Sequence, residues 1–375
     1  MTKSDNCSKI KKYISATKEE KLMSHTIVEK KRTIGLDFLK YVCCFLVIVI
    51  HSKLSLSVDN IVLPITRIAV PIFFMITGYF YTQLYEKNRV GNQIAKIFRL
   101  TVFSTLLYVV WDILKILING KSVINYLKGF LNLRRLFNFF VFNQPIKTSV
   151  LWYLGALLYV LIIAYFLRKI GMKSFKKLYY FIPVLLLCNL ILGNFSPVFF
   201  GKNLDLFYSR NFLFAGLPFF LIGDMFYNIK LKLKNKILIP TIIISAITSV
   251  AENYVMREFL NSKKLDVFIS TIILSCAVFI FAIENENYFS KSSFCVKIAE
   301  YGRKYTLVIY IVHMMLVNSW EIALNLATHY FSKLSAIRIP LNHISPIVFL
   351  ISATVIAWAV SRITKNKKLK ERKGN

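Results

Sequence analysis

The sequence predicts an all-α membrane protein, a polytopic bundle of about ten transmembrane helices with both termini in the cytoplasm. Of its 375 residues 56% are hydrophobic, and the mean hydropathy of +0.55 is too high for one or two soluble domains. Apolar stretches recur from residue 36 to residue 362, each near the length that a helix needs to cross roughly 30 Å of hydrocarbon. Basic residues concentrate in alternate connections, which is typical of cytoplasmic loops.

Ten spans follow from the apolar stretches, with breaks at basic or turn-rich segments. Their predicted bounds are 34–53, 61–84, 97–118, 150–168, 178–194, 210–229, 237–255, 267–285, 305–324 and 341–362. This division predicts a polar cytoplasmic tail at 1–33, a membrane domain at 34–362 and a basic cytoplasmic tail at 363–375. Residues 1–30 lack the apolar core of a cleavable signal peptide, so the first span is expected to direct insertion.

The charge distribution predicts the orientation and the surrounding partner. "EKNRVGNQIAK", "KIGMKSFKK", "KLKLKNK" and the tail "KNKKLKERK" are densely basic, whereas "VFFGKNLDLFYS" and "NSKKLDVF" are less so. Because Lys and Arg favour cytoplasmic loops, both termini are predicted inside. The formal charge of +31 comes from residues at the ends of apolar spans. Lipid headgroups are the nearest anions there, so the expected partner is the bilayer of the cell membrane and not nucleic acid.

One segment and the cysteines need separate comment. Residues 119–149 are basic and rich in Phe, although the count of spans places them outside the cell, and they are interpreted as an amphipathic surface segment. The six cysteines show neither CxxC nor metal-ligand spacing, and most lie within spans or on the reducing side. We therefore expect no metal site and no structural disulfide.

The first candidate site residues occur in the first span, in "KYVCCFLVIVIHSK". Lys40 and His51 are eleven residues apart, so on a helix they share one face and lie roughly 16 Å apart along the axis. Asp37 can pair with Lys40 at i, i+3. Two interpretations stay open: the pair lines a cavity inside the bundle, or Lys40 snorkels to headgroups while His51 only ends its helix.

A second histidine favours the cavity. "TLVIYIVHMMLV" places His313 in the middle of the ninth span, where a purely structural histidine is less usual. Both imidazoles are therefore expected to line one cavity. Burial disfavours the imidazolium form, which keeps His51 available as a general base.

Further ionisable and polar groups lie near the ends of spans. Lys96 and Arg99 share a helix face near the cytoplasm, where they either bind phosphates or anchor the span. Arg67, Arg210 and Glu252 lie near outer ends, where they either serve a site or form interfacial ion pairs. Pro71 and Gly78 are predicted to kink the second span. Asn211 and Trp152 are further candidates for a site, the latter with an alternative role as an interfacial aromatic.

These residues carry a family resemblance. "RTIGLDFLKYVCCFLVIVIH", "RIAVPIFFMITGYF" and "YGRKYTLVIYIVH" resemble the acyltransferase 3 family of integral membrane acyltransferases, over nearly the whole chain. That family shows a basic residue, ten residues and then His, a "VPxFFxxSGYF"-like second span and a basic-x-x-basic pair entering the third. The matching positions are Lys40 with His51, the stretch 70–80 with Thr77 in place of Ser, and Lys96 with Arg99.

A narrower resemblance concerns the middle of the chain. "LWYLGALLYV", "RNFLFAGLPFFLIG" and "AENYVM" resemble the membrane domain of the serine racemases linked to vancomycin resistance, whose cytosolic racemase domain this sequence does not contain. The sequence also lacks the extracytoplasmic esterase-like domain of some family members. Lysine at position 40, where arginine is commoner, keeps the charge but loses bidentate phosphate geometry.

The resemblance implies that residues 34–362 are a membrane acyltransferase domain. It would move an acyl group, usually acetyl, from cytosolic acyl-CoA to a hydroxyl of an extracytoplasmic or lipid-linked glycan, with no permanently bound cofactor. The residues then divide by expected role into catalytic His51, His313 and Glu252, donor-binding Lys40, Lys96 and Arg99, and acceptor-binding Arg67, Arg210, Asn211 and Trp152.

An alternative of another class is a small-molecule transporter, because the resembling racemase membrane domain looks like an amino-acid uptake module. No inverted repeat pairs the two halves of the sequence, which disfavours a transporter built from repeats. The sequence does not distinguish among acceptors such as peptidoglycan sugars, capsule, teichoic acid or a glycolipid.

Overall fold

The fold comes from a computed structural model, which describes residues 33–373 except 119, 121, 129–132, 145–150, 264 and 332–336. Throughout these described ranges the chain forms helices joined by turns and contains no strand, which confirms the all-α prediction. The predicted tail at 1–33 lies outside the described residues, apart from residue 33.

The helices, numbered in chain order, have the following bounds: α1 Ile34–His51, α2 Leu56–Thr66, α3 Ala69–Glu86, α4 Val90–Ile118, α5 Val123–Lys128, α6 Leu133–Phe142, α7 Trp152–Ile170, α8 Met172–Lys176, α9 Ile182–Leu192, α10 Ser196–Phe200, α11 Leu217–Ile229, α12 Asn235–Glu258, α13 Ile269–Glu284, α14 Glu286–Lys291, α15 Ser293–Tyr330 and α16 Arg338–Lys373. Short 3₁₀ turns occupy Lys177–Phe181 and Leu206–Tyr208, and a π-helical turn occupies Phe212–Gly216.

Nine helical stretches among the described residues are long and apolar enough to cross a membrane. They are Ile34–His51, Leu56–Glu86, Val90–Ile118, Trp152–Ile170, Met172–Leu192, Phe212–Ile229, Asn235–Glu258, Ser293–Tyr330 and Arg338–Asn366. The predicted span at 267–285 corresponds to α13, whose 16 residues reach only about 24 Å. The chain is thus a multi-pass membrane protein, with nine full-length candidates where the sequence predicts ten.

The second span bends at a different place from the one predicted. The break falls at Arg67 and Ile68, between α2 and α3, and not at the two residues named from the sequence. Pro71 lies in the first turn of α3, where a missing N–H leaves no helical bond unmade. Gly78 serves a close helix contact, since a Cβ there would lie 1.9 Å from the carbonyl oxygen of Phe220.

Small residues allow the helices to approach closely, as they commonly do in membrane bundles. Gly78 and Gly223 lie on the facing sides of α3 and α11, and a Cβ on Gly223 would lie 1.9 Å from the carbonyl oxygen of Met75. Gly302 makes the same kind of contact between α15 and α1, where a Cβ would lie 2.0 Å from the carbonyl oxygen of Asp37. These contacts fix two helix pairs at the centre of the fold.

Helices α1 and α15 run in the same direction, because their contacting residue numbers rise together. The rings of Tyr41 and Tyr301 are 5.8 Å apart, and further along the rings of His51 and His313 are 5.4 Å apart. The beginning of α1 is also fixed, since Glu286 accepts hydrogen bonds from the first backbone N–H groups of the helix. The two histidines therefore meet because a pair of packed helices carries them there.

Residues 119–149, which the sequence predicts to be a surface segment, contain two short helices, α5 and α6. Residues 119, 121, 129–132 and 145–150 of this region lie outside the described residues. Asn143 follows α6 with a φ of +46°, a left-handed conformation that Asn tolerates better than most residues. Its buried side chain is where this segment meets the bundle.

Candidate active site

A cavity opens where the end of α1 and the beginning of α3 meet α7, the π-helical turn and α15. Its volume is about 60 Å³, enough for a few waters or a similarly small group. It is lined by Val47, Ile50, His51, Arg67, Val70, Pro71, Phe74, Trp152, Tyr153, Arg210, Ala215, Phe219, Asp266, Val267, Tyr310 and His313. Five predicted site residues are in this set: His51, His313, Arg67, Arg210 and Trp152.

The two histidines lie beside one another in the lining of the cavity. Their ring centroids are 5.4 Å apart at an interplanar angle of 38°. His313 is 1% exposed, and its Nδ1 lies 2.6 Å from the carbonyl oxygen of Tyr310. Because a carbonyl oxygen only accepts, Nδ1 carries the proton and Nε2 is left with its lone pair. That Nε2 is buried with no hydrogen-bond partner among the described residues.

Two arginines in the cavity share one carboxylate. Arg210 forms a bidentate pair with Asp266, with Nε–Oδ2 and Nη2–Oδ1 distances of 2.8 Å. Arg67 reaches the same Oδ1 through Nη1 at the longer distance of 3.4 Å. This arginine cluster, Arg67, Arg210 and Asp266, brings together residues from three separate parts of the chain.

The carboxylate of the arginine cluster is held in place by its loop. Asn194 accepts the backbone N–H of Asp266 at 2.9 Å and donates to the carbonyl oxygen of Val267 at 2.8 Å. Burial raises the pKa of Asp266, but the charge and hydrogen bonds of Arg210, with a contribution from Arg67, hold it below its ordinary value. Asp266 is therefore a carboxylate at neutral pH.

Trp152 begins α7 at the cavity wall, with its ring 6.3 Å from that of Phe74. Asn143 donates to the carbonyl oxygen of Trp152 at 3.1 Å and accepts the backbone N–H of Phe212 at 2.7 Å. One buried amide thus ties the beginning of α7 to the beginning of the π-helical turn. Asn143, which no sequence motif marks, thus holds the backbone of Trp152.

Asn211 does not line the cavity, although the sequence places it with the acceptor contacts. Its Oδ1 caps the π-helical turn by accepting from the backbone N–H groups of Leu213 and Phe214, both at 2.9 Å. Its Nδ2 donates to the carbonyl oxygens of Phe207 and Tyr208. The amide is fully occupied within the fold, so its role is to fix the turn that follows Arg210.

Glu252 also lies away from this cavity, although the sequence groups it with the catalytic candidates. Its carboxylate accepts the backbone N–H groups of Ile269 at 3.0 Å and Ser270 at 2.9 Å, together with the hydroxyl of Ser270. A carboxylate at the N-terminus of a helix is stabilised by the unpaired N–H groups and by the helix dipole. Glu252 caps α13 and is absent from the cavity lining.

The three cations predicted to bind the donor lie away from the cavity. Lys40 pairs with Asp37 at 2.7 Å, as its spacing predicts, and its ammonium lies 5.7 Å from the centre of the Phe80 ring. Lys96 and Arg99 are exposed on α4, and Arg99 donates through Nε to the carbonyl oxygen of Ala95. Their accessibility suits phosphates and lipid headgroups equally.

A buried cation was missed by the sequence analysis. Arg168, at the end of α7, is 6% exposed and lies 5.3 Å from the ring centres of both Tyr85 and Phe175. Tyr85 is near the end of α3, as is the Phe80 that contacts Lys40. Arg168 and Lys40 therefore occupy the same end of the bundle, opposite to the histidines.

Asp266 and Tyr310 line the cavity as well, although neither was singled out from the sequence. Tyr310 precedes His313 by three residues, so it shares a helix face with it, and this spacing is a usable signal. Asp266 lies in a connection of ordinary composition, and only its contacts with two arginines in the folded chain distinguish it.

The cavity combines a neutral imidazole acceptor, a second imidazole and fixed cations within a bundle of membrane helices. Such a set can remove a proton from a hydroxyl and stabilise developing negative charge, which defines a membrane-embedded site for group transfer. Residues 33–362 match the family model described as an acyltransferase domain. The chain therefore belongs to the acyltransferase 3 family, as its sequence motifs suggested.

A curated relative is the "Amino-acid racemase" of Enterococcus faecalis, 26% identical over 309 residues. The match covers 77% of this chain and 41% of that protein, so the chain spans less than half the length of this relative. The name of the relative states a racemase and gives no support to the transport alternative. No solved structure matches the chain.

Proposed function

We propose that this protein is a cell-membrane O-acetyltransferase that moves acetyl from cytosolic acetyl-CoA to a hydroxyl of an extracytoplasmic or lipid-linked glycan. The observation that supports this most is the pairing of His51 with His313 in a cavity that also holds the arginine cluster. Family membership supplies the reaction class. The acetyl donor, the glycan acceptor and both catalytic histidines are parts of the proposal.

The proposed reaction begins when His51 accepts the proton of the acceptor hydroxyl. The oxygen attacks the thioester carbonyl, the new C–O bond forms, and the positive charge of Arg210 stabilises the tetrahedral oxyanion. Collapse of that intermediate breaks the C–S bond, and the proton on the imidazole passes to the departing thiolate. The products are the acetyl ester and free CoA, and His51 returns to its neutral form.

His313 is proposed to support His51 and not to donate a proton itself. Its proton is committed to the carbonyl oxygen of Tyr310, and its Nε2 lone pair is free to accept. Two imidazolium ions 5.4 Å apart, beside two arginines, would repel strongly in a site of low dielectric. The pair therefore carries one positive charge at most during the reaction.

The donor is proposed to enter from the end of the bundle that holds Lys40 and Arg168. Lys40 and His51 are eleven positions apart on α1, a rise of roughly 16 Å. A long pantetheine arm suits such a geometry, because it leaves the phosphates near cations while the thioester reaches the imidazole. Lys96 and Arg99 are exposed and available to guide the nucleotide at the surface.

The test uses membrane vesicles that expose the cytosolic face, supplied with radiolabelled acetyl-CoA. The proposal predicts base-labile label on envelope glycan together with an equal amount of free CoA thiol, and both should require His51. A transporter would instead show counterflow of a labelled amino acid without thioester turnover. That outcome, or label that resists mild base, would contradict the proposed O-acetylation.

A further inference from the structure

The arginine cluster is not electrically balanced. Arg67 and Arg210 contribute two positive charges and Asp266 one negative charge, which leaves +1. Neither a second Asp nor a Glu is among the residues that line the cavity. The nearby elements do not cancel the excess, because they add one cation, Arg257, and one carboxylate, Asp59.

The unused donor capacity belongs mainly to Arg67. Arg210 directs two N–H groups at Asp266 at 2.8 Å, in the bidentate arrangement that suits a carboxylate. Arg67 has only a 3.4 Å contact with that carboxylate among the described residues, although a guanidinium carries five N–H donors. The remaining donors of Arg67 are available to a ligand in the cavity that it lines.

A net cation held inside a membrane protein is costly unless something compensates it. The side chains of Arg67 and Asp266 are only 16% and 13% exposed, so bulk water supplies little of this compensation. A cluster that served structure alone would be more stable with equal charges. The excess therefore points to a ligand that brings the missing negative charge.

We infer that the acceptor is anionic: a glycan whose carboxylate or phosphate group binds Arg67 while a neighbouring hydroxyl approaches His51. This inference rests on the proposed function, since it names the class of acceptor for the same cavity. The phosphates of the donor are a poor source of the charge, because the route proposed for the donor leaves them roughly 16 Å away near Lys40. An anionic acceptor that enters beside Arg67 would supply the negative charge that the arginine cluster lacks.

The experiment compares acceptors in which an anionic group replaces, or is attached through, one neutral hydroxyl. Methyl glucuronide against methyl glucoside tests a carboxylate, and glycerol 3-phosphate against glycerol tests a phosphate. We expect purified enzyme with acetyl-CoA to prefer one anionic member by about tenfold or more in kcat/KM, the size expected for a charge-assisted hydrogen bond. The pair that shows the preference identifies the anionic group.

The variant Arg67→Gln should reduce this preference to about twofold or less, and Arg67→Lys should retain part of it because the charge remains. Arg257→Gln is the matched control, since Arg257 binds Asn253 and does not line the cavity, and it should keep the preference. The ratio is measured within each preparation, so it does not depend on how much of a variant folds.

Two results would overturn the inference: no preference in the parent enzyme, or an Arg67→Gln variant that loses kcat equally for both members while KM and the preference stay. The second result would assign Arg67 to the oxyanion. A melt without acetyl-CoA gives an independent readout, in which the anionic compound should raise the Tm of the parent and not that of Arg67→Gln. If that shift appears but no compound is acetylated, the anion site stands and the proposed function fails.

Discussion

At the scale of single residues, Asp266 organises the cavity because its carboxylate positions both arginines. The bidentate pair with Arg210 and the longer contact with Arg67 leave neither guanidinium free to turn away. Removing one partner from a buried ion pair is costly, since it leaves an uncompensated charge. Asp266 should therefore influence both the stability of the protein and the recognition of its acceptor.

We predict that Asp266→Asn destabilises the protein by about 3–5 kcal/mol at neutral pH. The arginines hold the pKa of Asp266 below its ordinary value, so its contribution is present above the pKa of the unfolded chain. The contribution is lost as the pH falls through the lower pKa of the folded state. The difference in Tm between parent and variant should thus be large at neutral pH and shrink in strong acid.

The matched control is Glu258→Gln, which neutralises an exposed carboxylate at the end of α12. It should change the Tm by little at any pH, because an exposed carboxylate contributes little to stability. A difference for Asp266→Asn that is as small as that of the control would contradict the organising role of Asp266.

The sequence predicted those site residues whose evidence is local. Lys40, Asp37 and His51 share one helix, so their spacing sufficed to place them. The meeting of His51 with His313 was also expected, because an imidazole within a span favours the bundle interior. Asp266 could not be found in this way, since its importance arises from two arginines more than fifty residues away. The capping contact of Glu252 could not be predicted either, since a capping carboxylate and a catalytic one look alike in sequence.

At the scale of helices, backbone contact through glycine sets the distance between α1 and α15. Gly302 meets the carbonyl oxygen of Asp37, and the same two helices carry His51 and His313 to a ring separation of 5.4 Å. A backbone carbonyl cannot move aside as a flexible side chain can. A small change at Gly302 should therefore alter the distance between the two histidines.

We predict that Gly302→Ala lowers the free energy of unfolding by about 1–3 kcal/mol and reduces acyl transfer, because the added Cβ would lie 2.0 Å from the Asp37 oxygen. Gly91→Ala is the matched control in α4, since its Cβ would meet nothing within 4 Å. It should leave the Tm unchanged or raise it, as alanine favours a helix over glycine by up to about 1 kcal/mol. Equal melts and activities for the two variants would contradict the close contact.

Helix lengths were less predictable than helix positions. Hydropathy located each long span, but it could not show that α13 ends after 16 residues. The start of that helix is fixed by Glu252, a tertiary contact that an apolar window does not detect. The bend of the second span likewise falls at Arg67, while Pro71 and Gly78 have other uses.

At the scale of the whole molecule, His51 ends α1, whereas Lys40 lies in the opposite half of that helix. Basic loops predict that the end with Lys40 faces the cytoplasm, and this orientation stays a prediction. It decides from which side the donor arrives.

We predict that a cysteine replacing Lys202 reacts with an impermeant thiol reagent added outside intact cells. A cysteine replacing Lys232 should react only after permeabilisation, because the span Phe212–Ile229 separates the two positions and both lysines are exposed. The unsubstituted protein, with its own cysteines, gives the background. The reverse pattern of labelling would show the opposite orientation in the membrane. It would place the cations proposed to bind the donor outside the cell.

The most direct measurement is acetyl transfer to envelope glycan by His51→Gln, with protein abundance and a thermal melt recorded in parallel. Glutamine retains size and hydrogen bonding but cannot accept the proton, so transfer should fall by about 10²- to 10⁴-fold while the Tm stays near that of the parent. His329→Gln, which changes an exposed histidine at the end of α15, should transfer acetyl normally. Substantial transfer by folded His51→Gln protein, or loss of activity only together with loss of folded protein, would contradict the assignment of His51 as the base.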